Sequence, residues 1–109
     1  MDIEVNKDNY QEIVVDPGTP TVVDFWGPRC ERCLQLMPGM ERMAEEAGDK
    51  LRLIKIDASQ NRRLCMNLRL LSLPAFIFYR DGQEVQRLTG EALTEDDLQK
   101  AVDDLLAGK

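Results

Sequence analysis

Apolar and polar positions along this chain switch repeatedly between the two-residue period of a strand and the 3.6-residue period of a helix. Thr21–Trp26 is a mostly apolar run rich in β-branched and aromatic side chains, the pattern of a strand buried on both faces. Over 31–47, Leu36, Met40, Met43, Ala44 and Ala47 recur at helical spacing and form one stripe of a long helix. Pro38 sits inside that helix, where it removes a hydrogen bond and is expected to kink it. Residues 51–57 read as a second apolar strand, and residues 59–71 as a helix whose Leu64, Met66, Leu68 and Leu71 stand among basic residues. Ser72-Leu73-Pro74 breaks that helix. Residues 75–80 are again strand-like, Asp81-Gly82 is a hairpin turn signal, and residues 84–88 return as its second strand. A capping box, Thr94-Glu95-Asp96-Asp97, opens a final helix with Leu98, Ala101, Val102 and Leu105 on its buried stripe. Ahead of all these, residues 3–5 predict a short edge strand. Residues 6–14 predict a helix capped by Asn6 and ended before Asp16-Pro17-Gly18.

The resulting order, β-α-β-α-β-α-β-β-α, has crossover helices early and a hairpin late, which predicts an α/β fold with a mixed sheet between helices. At 109 residues and 43% hydrophobic content the chain has room for one core, and it contains no internal repeat, linker or low-complexity segment. A single domain over 1–109 is expected. A net charge of -6 argues against sequence-independent binding to nucleic acid or anionic membranes. That charge is unevenly spread: between Arg52 and Arg87 seven basic residues face three acidic ones, whereas Glu91 to Asp104 holds six acids against Lys100. Two ordinary solvated faces account for such a split. No apolar run approaches a membrane span, and Met1-Asp2-Ile3-Glu4 has neither a basic nor an apolar leader character. A cytoplasmic protein is expected.

The clearest chemistry lies behind the first strand, where Phe25-Trp26-Gly27-Pro28-Arg29 leads into Cys30-Glu31-Arg32-Cys33. A thiol at a helix start feels the partial positive charge of unpaired backbone N–H groups, which favours its thiolate. Cys30 is placed to be that thiol. Cys33 lies one turn on along the same face, within reach of a mixed disulfide at Cys30. Two other readings compete with a redox couple. A CxxC pair is half of a tetrahedral zinc site, but the chain has no histidine and only Cys65 as a further sulfur, so a site shared between two copies is the main form left. A purely structural disulfide is disfavoured because so small a loop removes little unfolded-state entropy. Cys65, between Leu64 and Met66 and near Leu68, reads as a small buried hydrophobe, with regulatory oxidation or an intermolecular disulfide as its alternatives.

Trp26, the CxxC pair, Pro38 in the following helix and Leu73-Pro74 ahead of the next main strand together resemble the thioredoxin family. Asp24, Lys55, Asp81-Gly82 and Gly90 fall in step with that family's pattern, and the likeness runs from about residue 3 to about residue 107. It implies a thioredoxin fold: a central mixed sheet of four to five strands flanked by about four helices. It also implies a thiol–disulfide oxidoreductase, an electron carrier that reduces protein disulfides and is itself reduced by a reductase of the thioredoxin-reductase type. Cys30 would be the exposed nucleophile and Cys33 the buried resolving thiol. Asp24 would accept the Cys33 proton through a water, modulated by Lys55, and a raised pKa suits a carboxylate in an apolar strand. The alternative for Asp24 is a satisfied core pair with Lys55. Pro74 would be a cis-proline facing the sulfurs, Leu73 would align an extended substrate through its backbone, Gly90 would belong to the substrate contact, and Trp26 would pack beneath the active site, a place it could also hold as a plain core aromatic. The resemblance implies no bound cofactor, and the chain carries no nucleotide-binding fingerprint, so electrons arrive by thiol exchange. A monomer is expected.

Family members usually carry Trp-Cys-Gly-Pro-Cys where this chain has Arg29-Cys30-Glu31-Arg32-Cys33. Arg29 replaces a flat apolar contact, which predicts more electrostatic and more salt-sensitive docking. Arg32 favours a Cys30 thiolate and Glu31 opposes it, so their charges offset one another. These three positions predict a restricted set of partners. Arg69 stands where the family commonly has a helix-ending glycine, so it either remains right-handed or bears modest strain. A thioredoxin-fold binding or redox-sensing module with little turnover is the alternative function. A glutaredoxin-like role fits less well, since the final helix and Asp24 follow the thioredoxin pattern.

Overall fold

The computed structural model describes residues 4–109. Four strands, β1 (Thr21–Trp26), β2 (Arg52–Asp57), β3 (Ala75–Arg80) and β4 (Gln83–Thr89), form one sheet in the order β2-β1-β3-β4. β1 is parallel to β2 and antiparallel to β3, and β3 pairs antiparallel with β4 across the hairpin. The sheet is therefore mixed, as the order of elements predicts. Asp81 and Gly82 both take positive φ, at 54° and 78°, the two-residue turn geometry whose twist matches the flanking strands. Helices α1 (Glu31–Ala47), α2 (Arg62–Asn67) and α3 (Glu95–Leu106) complete the chain.

Alternation along the central strands divides the core into two layers. Val22, Phe76 and Phe78 pack with Leu36 and Met40 of α1 and with Leu98 and Val102 of α3. On the other face Val23, Phe25 and Ile77 pack with Tyr10, Val14 and Leu64. Burial of each such side chain contributes about 1.5–3 kcal/mol. Asp24, two residues beyond Val22, belongs to the α1 face of the sheet. At the start of α3, Thr94 Oγ1 accepts from the Asp97 N–H at 3.1 Å and Asp97 Oδ2 accepts from the Thr94 N–H at 2.9 Å, which is the expected capping box.

Three expectations are corrected. Residues 6–14 do not form a regular α-helix. Asn6 does accept from the Asp8 and Asn9 N–H groups, but the helical segment is a π-turn over Gln11–Val15, closed by the Asp16 N–H on the Gln11 carbonyl. The wider turn puts the adjacent valines Val14 and Val15 both into the core. The helix expected over 59–71 is shorter and divided. Asp57 caps a 3-10 turn at Ala58–Gln60, α2 starts after Asn61, and Arg69 ends it in the left-handed region at φ 58°. The Arg69 N–H donates to Met66 and the Leu70 N–H to Cys65, so the helix closes with a Schellman motif carrying arginine at the usual glycine position. As for the edge strand at 3–5, Ile3 lies outside the described residues, and Glu4 and Val5 are in no strand.

Candidate active site

β1 delivers the chain from the sheet interior to the site, and α1 begins at its end. Cys30 is the N-cap of α1, with extended φ and ψ of -92° and 97°, and its Sγ accepts the Cys33 N–H at 3.2 Å. The two sulfurs form a disulfide, with Cα atoms 5.2 Å apart. Their environments differ sharply: Cys30 is half-buried, whereas Cys33 is 0% exposed. The free N–H groups of the first turn of α1 surround Cys30, so the helix end favours negative charge there once the bond opens. Among the described residues no three Cys, Asp or Glu side chains converge as metal ligands.

Asp24 is fully buried, and neither carboxyl oxygen accepts a hydrogen bond from any described residue. Burial pushes its pKa up from 3.8 to about 7, with the Lys55 ammonium pulling it down and the Glu41 carboxylate pushing it up. Lys55 faces Asp24 in the β1–β2 register, yet its ammonium turns outward to pair with Glu41 on α1. A satisfied Asp24–Lys55 core pair is therefore absent from the structure. Glu41, which the sequence reading did not single out, tunes the carboxylate with opposite sign to Lys55. Nothing in the spacing of α1 advertised that, because the contact joins a helix to a strand across the sheet face.

The Leu73–Pro74 peptide bond is cis, and Pro74 is buried at the head of β3. Its carbonyl accepts the Gly90 N–H at 3.0 Å, and Gly90 holds φ at 106°, a conformation that requires glycine. The Gly90 carbonyl accepts the Leu93 N–H, and the Leu93 carbonyl accepts two bonds from Arg32. Nη1 of Arg32 also donates to Gln35. Arg32 is thus engaged with the loop before α3 rather than standing as a free charge beside the sulfurs.

Gly27, Arg29, Cys30, Ser59, Arg62 and Leu73 line an open groove over the disulfide. Gly27 lies against the Leu73 side chain, where a Cβ would stand 3.4 Å from a Leu73 methyl group, close to ordinary van der Waals contact. Of the sequence-derived site residues, Arg29, Cys30 and Leu73 meet in this groove, and Pro74 and Gly90 meet each other next to it. Trp26, at the end of β1, and Glu31, exposed on α1, are outside the groove lining. Arg62 and Gly27 were not singled out from sequence. Arg62 had no signal beyond its place in a basic stretch.

Comparison with known proteins fits this geometry. The family model described as Thioredoxin matches residues 2–104. A thioredoxin of Acetoanaerobium sticklandii is 36% identical over 91 residues, which cover 84% of this chain and 87% of that one. Thioredoxin X of Arabidopsis thaliana, a chloroplastic protein, is 34% identical over 94% of this chain and 57% of its own length. Among solved structures, a thioredoxin of Malassezia sympodialis superposes with a TM-score of 0.81 at 24% identity, covering 93% of this chain and 86% of its own. Oxidised mitochondrial thioredoxin 3 of Saccharomyces cerevisiae gives 0.81 at 20% identity, with 91% and 90% covered. These two likenesses establish the thioredoxin fold. The family model and the sequence relatives go further: the chain belongs to the thioredoxin family and is a thiol–disulfide oxidoreductase that acts on protein disulfides through its Cys30–Cys33 pair.

Proposed function

We propose that Cys30 is the attacking sulfur, Cys33 the resolving one and Asp24 the group that takes the Cys33 proton. The observation that carries this division is the asymmetry in exposure, with Cys30 in the groove and Cys33 wholly buried. In the dithiol form, the Cys30 thiolate at the α1 N-terminus attacks one sulfur of a partner disulfide. A Cys30–partner bond forms, the partner S–S bond breaks, and the second partner sulfur leaves as a thiolate and takes up a proton. Cys33 then loses its proton to Asp24 and attacks Cys30 Sγ. The Cys30–Cys33 bond closes and the partner leaves as a dithiol, having gained two electrons and two protons. A carboxylate with pKa about 7 accepts a proton readily near neutral pH and returns it as readily.

Leu73 offers its backbone to an extended partner segment beside the sulfurs, with Pro74 and Gly90 holding that edge and Trp26 supporting it from the end of β1. Lys55 acts on the reaction by lowering the Asp24 pKa. Arg29 and Glu31 are both exposed and put charge on either side of Cys30, which supports a restricted set of partners. A reductase of the thioredoxin-reductase type returns the protein to the dithiol form, and the protein works as a monomer in the cytoplasm. No helix among the described residues is long and apolar enough to cross a membrane.

Two measurements test the reading. The dithiol form should reduce insulin disulfides catalytically, and failure to do so would refute the carrier function. In a cell lysate, Cys33→Ser should accumulate mixed disulfides at Cys30 that Cys30→Ser does not form. Equal trapping by both variants would overturn the assignment of the nucleophile.

A further inference from the structure

The groove at Cys30 does not end at Leu73. It continues along α2 into a second depression lined by Cys65, Met66, Leu70 and Leu71, and the two share Ala58, Arg62 and Leu73. At its far end Met66 is 71% exposed and Leu71 96% exposed, so the depression ends in two apolar side chains open to solvent. The charge along this path is one-sided. Arg29 and Arg62 line it, no Asp or Glu does, and neither arginine has a hydrogen bond or ion pair among the described residues. Arg63 and Arg69 likewise have no described partner but line neither depression, whereas Arg32, Arg42, Arg52, Arg80 and Arg87 each have one. Two unpartnered guanidinium groups at an acid-free groove, on a chain with net charge -6, are placed to be neutralised by something from outside.

We propose that this groove selects partner disulfides flanked by acidic residues. The occupant is an extended segment of a partner protein that runs from its disulfide at Cys30 past Leu73 toward α2. Its carboxylates pair with Arg29 and Arg62, and an apolar side chain covers Met66 and Leu71. This rests on Cys30 being the attacking sulfur and names the substrate class of that same site. The continuity with the disulfide groove gives the direction of the segment, and the two arginines give its sign. Glu31, exposed beside Cys30, opposes an acid placed close to the sulfur. The favoured carboxylates therefore lie on the α2 side of the partner's disulfide. Whole-molecule charge predicts the opposite preference, since a chain of net charge -6 repels an acidic segment and attracts a basic one.

The test uses the full-length dithiol protein and three peptide disulfides that differ only in flanking residues: glutamates, glutamines or lysines. Rapid-mixing rate constants at low salt are expected to be about 5–10-fold higher for the glutamate than for the glutamine peptide, with the lysine peptide slowest. The ratio is expected to fall toward one as ionic strength rises above the screening range. Arg62→Glu, an exposed change at the first position of α2, is expected to reverse the order of the glutamate and lysine peptides. Equal rates for the three peptides in the wild type, or an order unmoved by Arg62→Glu, would overturn the proposal. Sedimentation showing a dimer that Met66→Ser and Leu71→Ser dissociate would also overturn it, since a second copy would then occupy the groove. Reduction of none of the peptides would refute the attack by Cys30 itself, whereas equal reduction of all three refutes only the acidic preference.

Discussion

The Arg32 guanidinium donates to the Leu93 carbonyl from both Nε and Nη2, at 3.0 and 2.6 Å, and so ties the first turn of α1 to the loop before α3. Through Leu93 and Gly90 the same chain of hydrogen bonds continues to Pro74 at the head of β3. Arginine is suited to this because its planar fork can place two donors on one oxygen.

Loss of that fork is expected to cost stability. Charge-assisted bonds to a half-buried carbonyl suggest roughly 1–2 kcal/mol for Arg32→Ala. For a chain of this size that is a fall in Tm on the order of 5–10 °C. Arg32→Lys, with a point charge and no fork, is expected to recover part of it. Thermal unfolding of the three proteins decides the matter, and an unchanged Tm for Arg32→Ala would mean that the clamp contributes nothing.

Asp24 makes stability depend on pH in a definite direction. Its pKa in the folded protein, about 7, lies above the ordinary 3.8, so between those values the folded state holds a proton that the unfolded state has lost. Stability therefore falls as pH rises through this window and levels off above pH 7, a total on the order of 4 kcal/mol. Asp24→Asn is expected to remove that slope, whatever the amide costs in absolute stability. Lys55→Met removes the group that lowers the pKa and is expected to carry the slope to higher pH. Urea unfolding midpoints between pH 5 and 9 give the answer, and parallel curves for wild type and Asp24→Asn would show that the carboxyl does not titrate there.

Arg69 holds φ at 58° in the closing turn of α2, where a side chain carries a steric cost that glycine lacks. Relief of that cost outweighs the extra chain entropy of glycine in the unfolded state, so Arg69→Gly is expected to gain about 0.5–1 kcal/mol. Denaturant unfolding measures this directly. A destabilised Arg69→Gly would show that the arginine side chain makes a compensating contribution.

Much of this protein is legible in its residue order, because the determinants are local. The apolar run of β1, the Asp81-Gly82 turn, the Thr94 capping box and the Cys30–Cys33 spacing each specify their structure within a few residues. Local signals misled where backbone geometry is shared with distant partners. Residues 6–14 carry a helical pattern, but packing two adjacent valines against the sheet selects a π-turn. Residues 59–71 carry Leu64, Met66, Leu68 and Leu71 with no glycine or proline among them, but Arg69 turns left-handed and ends α2 early.

The sequence by itself determined the succession of strands and helices from β1 onward, the dithiol and the family to which it belongs, since strand period, turn chemistry and cysteine spacing act over short range. Only the tertiary structure decided where the charges near the dithiol point. Arg32 is turned to a carbonyl 61 residues away, Lys55 to Glu41 rather than inward, and Arg62 to the groove that holds Cys30. Electrostatic and hydrogen-bond partners depend on distance in space and on burial. Neither quantity exists along the chain until β1, α1 and α2 have packed around the same sheet.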